Sequence, residues 1–175
     1  MPPAPPSGPG LLATDFYQLT MLDAYRQSGM AAPACFEFFV RHLPRNRRFL
    51  VVAGLEPLLQ QLERAQFTAV ELDWLGGTGR FSTEAIRQLA DWRFRGDVFA
   101  VPEGTILFGE EPMLRIEAPI AQAQLVETLV ISQLHFHTLI ASAAVRFRLA
   151  APRAQLIDFG LRRAHSLESG VLAAR

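Results

Sequence analysis

The chain contains no lysine: its 17 basic residues are all arginine. That absence excludes a lysine Schiff base and a phosphate-binding loop of the lysine-containing kind. Any anion held here by a cation is held by the planar guanidinium fork, which suits carboxylate and phosphate alike. Cysteine is nearly absent too. Cys35 alone forms no internal disulfide and no multi-cysteine zinc site. Within its alternating apolar run it reads as a small core residue. No signal-peptide pattern is present, so a reducing cytoplasm is the expected compartment. Net charge is zero and no basic stripe is visible, which argues against nucleic acid as a partner. No long apolar run is free of charge either. Leu125 to Leu149 is interrupted by His135, His137, Arg146 and Arg148, so no membrane span is expected.

What is abundant is core-forming material. Half of the 175 residues are hydrophobic and 13 are phenylalanine. A chain of this length buries roughly 70% of its unfolded surface. Met1–Gly10, with five prolines and two glycines, reads as a disordered tail. Thr14 or Asp15 then caps a helix that runs to Ser28, with Gln18 completing a capping box and Gly29 stopping it. Ala34 to Arg41 alternates as a half-buried strand, with Phe36, Phe38 and Val40 on one face. Leu50 to Ala65 has helical spacing, interrupted near Gly54 and Pro57. Thr68-Ala69-Val70-Glu71 is a capping box for a short helix ending at Gly76-Gly77, and Ser82 to Trp92 is another helix. Short strands follow at Asp97–Val101, Thr105–Phe108 and Pro112–Ala118. In the last of these, Leu114 and Ile116 point inward and Arg115 and Glu117 outward.

Ala121 to Ala150 reads as one long helical run, with a kink allowed. It is apolar on more than one side and therefore expected to be buried. Gln155 to Phe159 reads as a buried strand, and Ser166 to Arg175 as the start of a helix. The fold class is α/β: an N-terminal mixed α+β domain over residues 11–119, then the beginning of an incomplete α/β-barrel domain over 120–175. On this reading the closing strand, loop and helix open a parallel region whose remainder lies outside the chain.

Two segments carry chemistry. Asp158-Phe159-Gly160-Leu161-Arg162-Arg163-Ala164-His165 places an aromatic ring and two arginines at a strand's carboxyl end, where α/β folds bind ligands. Gly160 is read as permitting a sharp turn, and the following helix N-terminus favours anions. A flat anion fits this pattern, the ring by stacking and the charge by bidentate bonding. A solvated arginine pair after a core phenylalanine is the plainer reading. The kinase-like triplet Asp158-Phe159-Gly160 lacks its supporting motifs. The second segment, Thr14 to Met21, is by itself a capped amphipathic helix. His135 and His137 have the wrong spacing for a helical zinc pair and read as core or interface residues.

Together, Leu12-Ala13-Thr14-Asp15-Phe16-Tyr17-Gln18-Leu19-Thr20-Met21 and Asp158 to His165 resemble the nicotinate phosphoribosyltransferase family. The intervening Phe36–Arg41, Ala53–Glu56, Val101–Gly104 and Gln124–Thr128 are similar to it as well, so the resemblance spans Leu11 to Arg175. It implies transfer of phosphoribosyl from phosphoribosyl pyrophosphate to nicotinate. The products are nicotinate mononucleotide and pyrophosphate, for NAD salvage, with ATP hydrolysis coupled and Mg2+ accompanying the pyrophosphate. It implies that Phe159 and Tyr17 sandwich the pyridine ring and that Tyr17 comes from the second subunit of a homodimer. Arg162 and Arg163 then lie beside nicotinate or phosphate, and Asp15 orders the Tyr17 helix or touches the site edge. The family is much longer than this chain, so the resemblance implies an N-terminal fragment, inactive alone, that holds no catalytic residue. Ser166 departs from the glycine often found there. The competing readings are a non-catalytic, partner-binding module and an enzyme for nicotinamide or another pyridine base.

Overall fold

The computed structural model describes residues 10–174. The tail expected over Met1–Gly10 lies outside the described residues apart from Gly10, as does Arg175. The architecture is mixed α/β. Strands β1 (Pro33–Phe39), β3 (Asp97–Ala100) and β5 (Pro112–Pro119) form an antiparallel sheet in the order β1-β5-β3, and β2 (Leu50–Val51) pairs with β4 (Ile106–Leu107). Around them lie α1 (Phe16–Gln27), α2 (Leu55–Arg64), α3 (Ala69–Gly77) and α4 (Thr83–Ala90), and after β5 come α5 (Ile120–Leu125) and α6 (Glu127–Ala150). A 3-10 turn at Leu161–Arg163 precedes α7 (Leu167–Ala174).

The central strand shows why alternation matters. Met113, Leu114, Ile116 and Ala118 of β5 are buried. Phe36 faces Ile116 and Phe38 faces Leu114 across the ladder to β1. On the outer face Arg115 lies 4.7 Å over the Phe99 ring and 3.2 Å from Glu117. The core joins this sheet to Leu19 and Leu22 of α1, Leu58 and Leu62 of α2, Leu75 of α3, and Leu125, Val126, Val130 and Leu134 of α5 and α6. It therefore includes residues on both sides of Pro119.

Thr68 caps α3 with the full reciprocal box, its hydroxyl accepting from the Glu71 N–H. Ser82 caps α4 by accepting from the Ala85 N–H at 3.1 Å. Ser82→Ala should therefore cost about 1 kcal/mol, read as a lower urea midpoint at unchanged slope. On the surface of α4, hydrogen bonds from Arg87 and then Gln88 hold the Glu84 carboxyl below its ordinary range.

Several expectations from the sequence are corrected. Cys35 is exposed rather than a core residue. The alternation of β1 puts it on the face of Glu37, away from Phe36 and Phe38. Leu50–Val51 is a strand, not helix, because it finds the β4 partner; the helix begins only after Gly54. The capping box at Asp15 does not form: Asp15 accepts no bond through its side chain, and the Gln18 amide is committed elsewhere. Gln155–Phe159 is not a strand. No strand runs beside it among the described residues, and an unpartnered extended segment leaves its ladder groups unpaired. Ile157 is accordingly exposed. The long helix breaks at Val126 into α5 and α6. Only the first part of α6 is buried, while Phe147 and Leu149 are exposed. By length and composition α6 could cross a membrane. Its Val130, Leu134, His137, Thr138 and Ser142 are nonetheless buried against the rest of the molecule, as in a core helix.

Candidate functional site

The first half of the site is built on α1. Gln18, Leu19 and Leu22 form its buried face, which leaves Tyr17 half exposed. Phe16 anchors the start of the helix by an edge contact with Phe81 at 5.9 Å, with the Arg80 guanidinium 5.7 Å over its ring. Asp15 is exposed. Its main-chain carbonyl accepts the Gln18 N–H at 2.9 Å, so it orders the first turn through its backbone.

Gln18 is fully buried, and its side-chain amide is saturated. Its Nε2 donates to Glu127 Oε2 at 2.7 Å and to Tyr17 Oη at 3.1 Å. Its Oε1 accepts from Gln124 Nε2, which also lies 3.5 Å from the Met21 sulfur. The helix start is further stitched to α6 by Thr14 Oγ1, which donates to Thr128 Oγ1 at 3.2 Å. Beside Glu127 opens a cleft of about 260 Å³, bordered by Phe36, Phe38, Phe39, Arg41 and Ile131. Sequence reasoning gave Gln18 a capping role and gave Glu127 and Gln124 none. The available signal was a Gln and a Glu three residues apart at the start of an otherwise apolar helical run.

The second half lies between α6 and α7. The Arg148 guanidinium donates to the carbonyls of Pro152 and Ala154, at 3.2 and 2.9 Å, and folds the chain back after the helix. Asp158 Oδ1 then accepts the Gly160 N–H at 2.7 Å. That side-chain turn redirects the backbone. Gly160 itself has φ −80°, open to any residue, so glycine's left-handed freedom is not what makes the bend. Phe159 is 80% exposed, the most open large apolar side chain described. Arg162 and Arg163 sit in the 3-10 turn and are exposed. Neither guanidinium has a hydrogen-bond or ion-pair partner among the described residues. The α7 N-terminus is occupied by its own cap, Ser166 Oγ accepting the Ser169 N–H at 3.0 Å.

The structure thus presents Phe159, Arg162 and Arg163 together on one short segment, with Tyr17 on a separate element. Among the described residues no ring contact or hydrogen bond joins Tyr17 to Phe159. His135 is exposed. His137 is buried, with its Nδ1 2.8 Å from the Gln133 carbonyl oxygen. No group of three His, Cys, Asp or Glu suited to a metal occurs among the described residues.

A family model described as the nicotinate phosphoribosyltransferase N-terminal domain matches residues 12–135. The chain belongs to the nicotinate phosphoribosyltransferase family. A nicotinate phosphoribosyltransferase of Mycobacterium tuberculosis, pncB2, is 45% identical over 166 residues, covering 95% of this chain and 36% of that protein. The Bacillus subtilis nicotinate phosphoribosyltransferase is 35% identical over 165 residues, covering 94% of this chain and 34% of its own length. The crystal structure of human nicotinic acid phosphoribosyltransferase superposes with a TM-score of 0.82 at 31% identity, over 91% of this chain and 33% of that one. The chain therefore spans about a third of the length of these relatives, and the α/β fold read from the sequence agrees with the human structure. Both halves of the candidate site fall in a chain that is matched over 95% of its length by the mycobacterial member of the nicotinate phosphoribosyltransferase family.

Proposed function

We propose that the protein to which this chain contributes is a nicotinate phosphoribosyltransferase. It joins nicotinate to phosphoribosyl pyrophosphate, forms nicotinate mononucleotide and pyrophosphate for NAD biosynthesis, and works in the cytoplasm. The observation that carries this reading is the 45% identity, over 95% of the chain, to a nicotinate phosphoribosyltransferase. The exposed side chains support the same substrate class. Phe159 offers an open aromatic face, and the Arg162 and Arg163 forks next to it are free to meet a carboxylate or phosphate. Tyr17 supplies the opposing face from the second subunit of a homodimer, so that neither copy holds a complete base site. Asp15 keeps the Tyr17 turn in place.

The contribution of these residues is positioning. A base held flat between two rings, with its charge paired, presents its nitrogen to the anomeric carbon at little entropic cost. Coupled ATP hydrolysis would drive the exchange, and Mg2+ would accompany the pyrophosphate. No group of three His, Cys, Asp or Glu suited to a metal occurs among the described residues; Mg2+ is commonly held by substrate phosphates with one or two carboxylates, and no step here runs through it. This chain alone is inactive on this reading.

Tyr17→Ala and Phe159→Ala in the full-length enzyme should each raise the nicotinate KM at least tenfold, from the lost stacking. Mixing the two weakened variants after unfolding and refolding should return roughly a quarter of the sites to the parent KM, because heterodimers carry one intact site. A mixture no more active than its parents would refute the shared site.

A further inference from the structure

We infer that Glu127 and Gln18 are positioning residues that fix the direction of the Tyr17 O–H, leaving its proton free for an anionic acceptor on the ligand. The inference rests on the proposed role of Tyr17 at the nicotinate site and adds to it a function for the hydroxyl, beyond ring stacking.

The direction of the Tyr17 O–H depends on which end of the Gln18 amide points where. A carboxylate only accepts hydrogen bonds. Glu127 Oε2, 2.7 Å from the Gln18 amide, therefore demands the nitrogen on its side. With the nitrogen there, Gln18 Oε1 is left to accept from Gln124 Nε2, as it does. This assignment matches a donor to an acceptor at each contact among the three side chains and leaves Gln124 Oε1 without a hydrogen-bond partner among the described residues. The second N–H of the same Nε2 is directed at Tyr17 Oη, 3.1 Å away. Tyr17 must accept there, and its own proton points elsewhere. Gln18 is fully buried and Gln124 nearly so, so water does not compete for the inner part of this network, whereas Tyr17 is 49% exposed. A relay of a half-buried carboxylate and a buried amide thereby presents an outward O–H donor at the start of α1. Such a donor matches a ligand carboxylate or phosphate oxygen and not a second donor.

Without the carboxylate, nothing opposes a concerted rotation of the two amides. Gln18 Oε1 would then face Tyr17 Oη and capture its proton. The relay therefore predicts that breaking it at Glu127 acts only through the tyrosine hydroxyl.

The test is steady-state kinetics of the full-length enzyme with nicotinate and phosphoribosyl pyrophosphate, with thermal melting of each variant. Tyr17→Phe should raise the nicotinate KM about tenfold, the loss of one charge-assisted hydrogen bond. Glu127→Ala should raise it by a similar factor. The double variant should be no worse than either single one, since both remove the same interaction. Glu127→Gln should return KM to within about twofold of the parent, because its amide oxygen accepts the same Gln18 N–H. Should Glu127→Ala not yield folded enzyme, Gln18→Leu alone and with Tyr17→Phe gives the same comparison. A merely structural Glu127 would multiply its effect with that of Tyr17→Phe, or lower melting temperature without moving KM; either result overturns the inference. If Tyr17→Ala raises KM while Tyr17→Phe does not, stacking stands and the role of the hydroxyl falls. If Tyr17→Ala leaves KM unchanged, the assignment of Tyr17 to the base site fails as well.

Discussion

Replacing Gly54 by alanine will destabilise the protein by about 4 kcal/mol, the sum of backbone strain and overpacking. Gly54 caps α2 with φ 97°, a conformation that costs an L side chain about 1–3 kcal/mol. A Cβ built there would lie 2.8 Å from both Cβ and Nδ1 of His137 and 2.9 Å from its Cγ. Those distances demand a shift, and neither side is free to give. His137 is buried on α6, with its ring nitrogen against the Gln133 carbonyl at 2.8 Å. The helix behind it is tied to the Gly54 segment. Thr138 Oγ1 accepts from the Ala53 N–H and donates to the Ala53 carbonyl, both at 3.3 Å, and Ser142 Oγ accepts the Val51 N–H at 2.9 Å. From the other side Glu103 Oε1 accepts the N–H groups of Gly54 and Leu55 at 2.6 and 2.8 Å. Overpacking a site held this firmly adds about 1–3 kcal/mol. Urea unfolding monitored by tryptophan fluorescence measures the loss. Gly29→Ala is the control: its φ is 65° and nothing lies within 4 Å of the added carbon, so only the strain remains, about 1 kcal/mol. Equal losses at the two glycines would show that the His137 contact yields without cost.

That contact also shows where sequence reasoning stops. The sequence marked Gly54 as an interruption, and the alternation of β5 and the capping box at Thr68 were legible because each is encoded within a few residues. The pairing of Gly54 with His137 joins positions far apart in the chain, and nothing in either local pattern announces it. The same holds for Gln18. A glutamine three residues after Asp15 satisfies a capping box on paper. Its real partners, Glu127 and Gln124, are more than a hundred residues away, and a half-buried carboxylate is a stronger partner than a local backbone donor. The strand assigned to Gln155–Phe159 failed for a related reason. Leu156 and Ile157 have strand-like side chains, but a strand exists only with a neighbour to complete its ladder. Part of the candidate site is local in the chain. Phe159, Arg162 and Arg163 are contiguous in sequence, so their being together on the surface follows from one short segment. The proposal that Tyr17 joins them rests on resemblance, since no described contact links the two segments.

Glu71→Ala will cost about 3 kcal/mol, one lost cap plus buried donors left unpaired. Glu71 is only 2% exposed, yet it carries a carboxylate, and its oxygens are fully used. Oε2 accepts the Thr68 N–H at 2.7 Å and the Thr68 hydroxyl at 2.9 Å, closing the box at the start of α3. Oε1 accepts the Leu12 N–H at 3.2 Å. One side chain therefore caps a helix and also moors the segment that leads into α1, where Leu11 is buried and Thr14 reaches across to Thr128. Removing the carboxylate should act at both places. The amide protons of Leu12 and Thr68, protected in the parent, should exchange at least tenfold faster in the variant, the equivalent of one lost hydrogen bond, while that of Ala85, capped independently by Ser82, should slow or hasten only with global stability. Glu71→Gln separates the two functions. Its single amide oxygen can keep the Thr68 bonds, but its nitrogen then faces the Leu12 N–H as a second donor, so the cap should survive while the mooring is lost. On the proposed function, nicotinate binding by the full-length protein that weakens in Glu71→Gln without a matching fall in melting temperature would show that the mooring sets the position of Tyr17. If binding is unchanged, α1 is held without Glu71, by its core packing and its bonds to α5 and α6, and Glu71 serves the fold only.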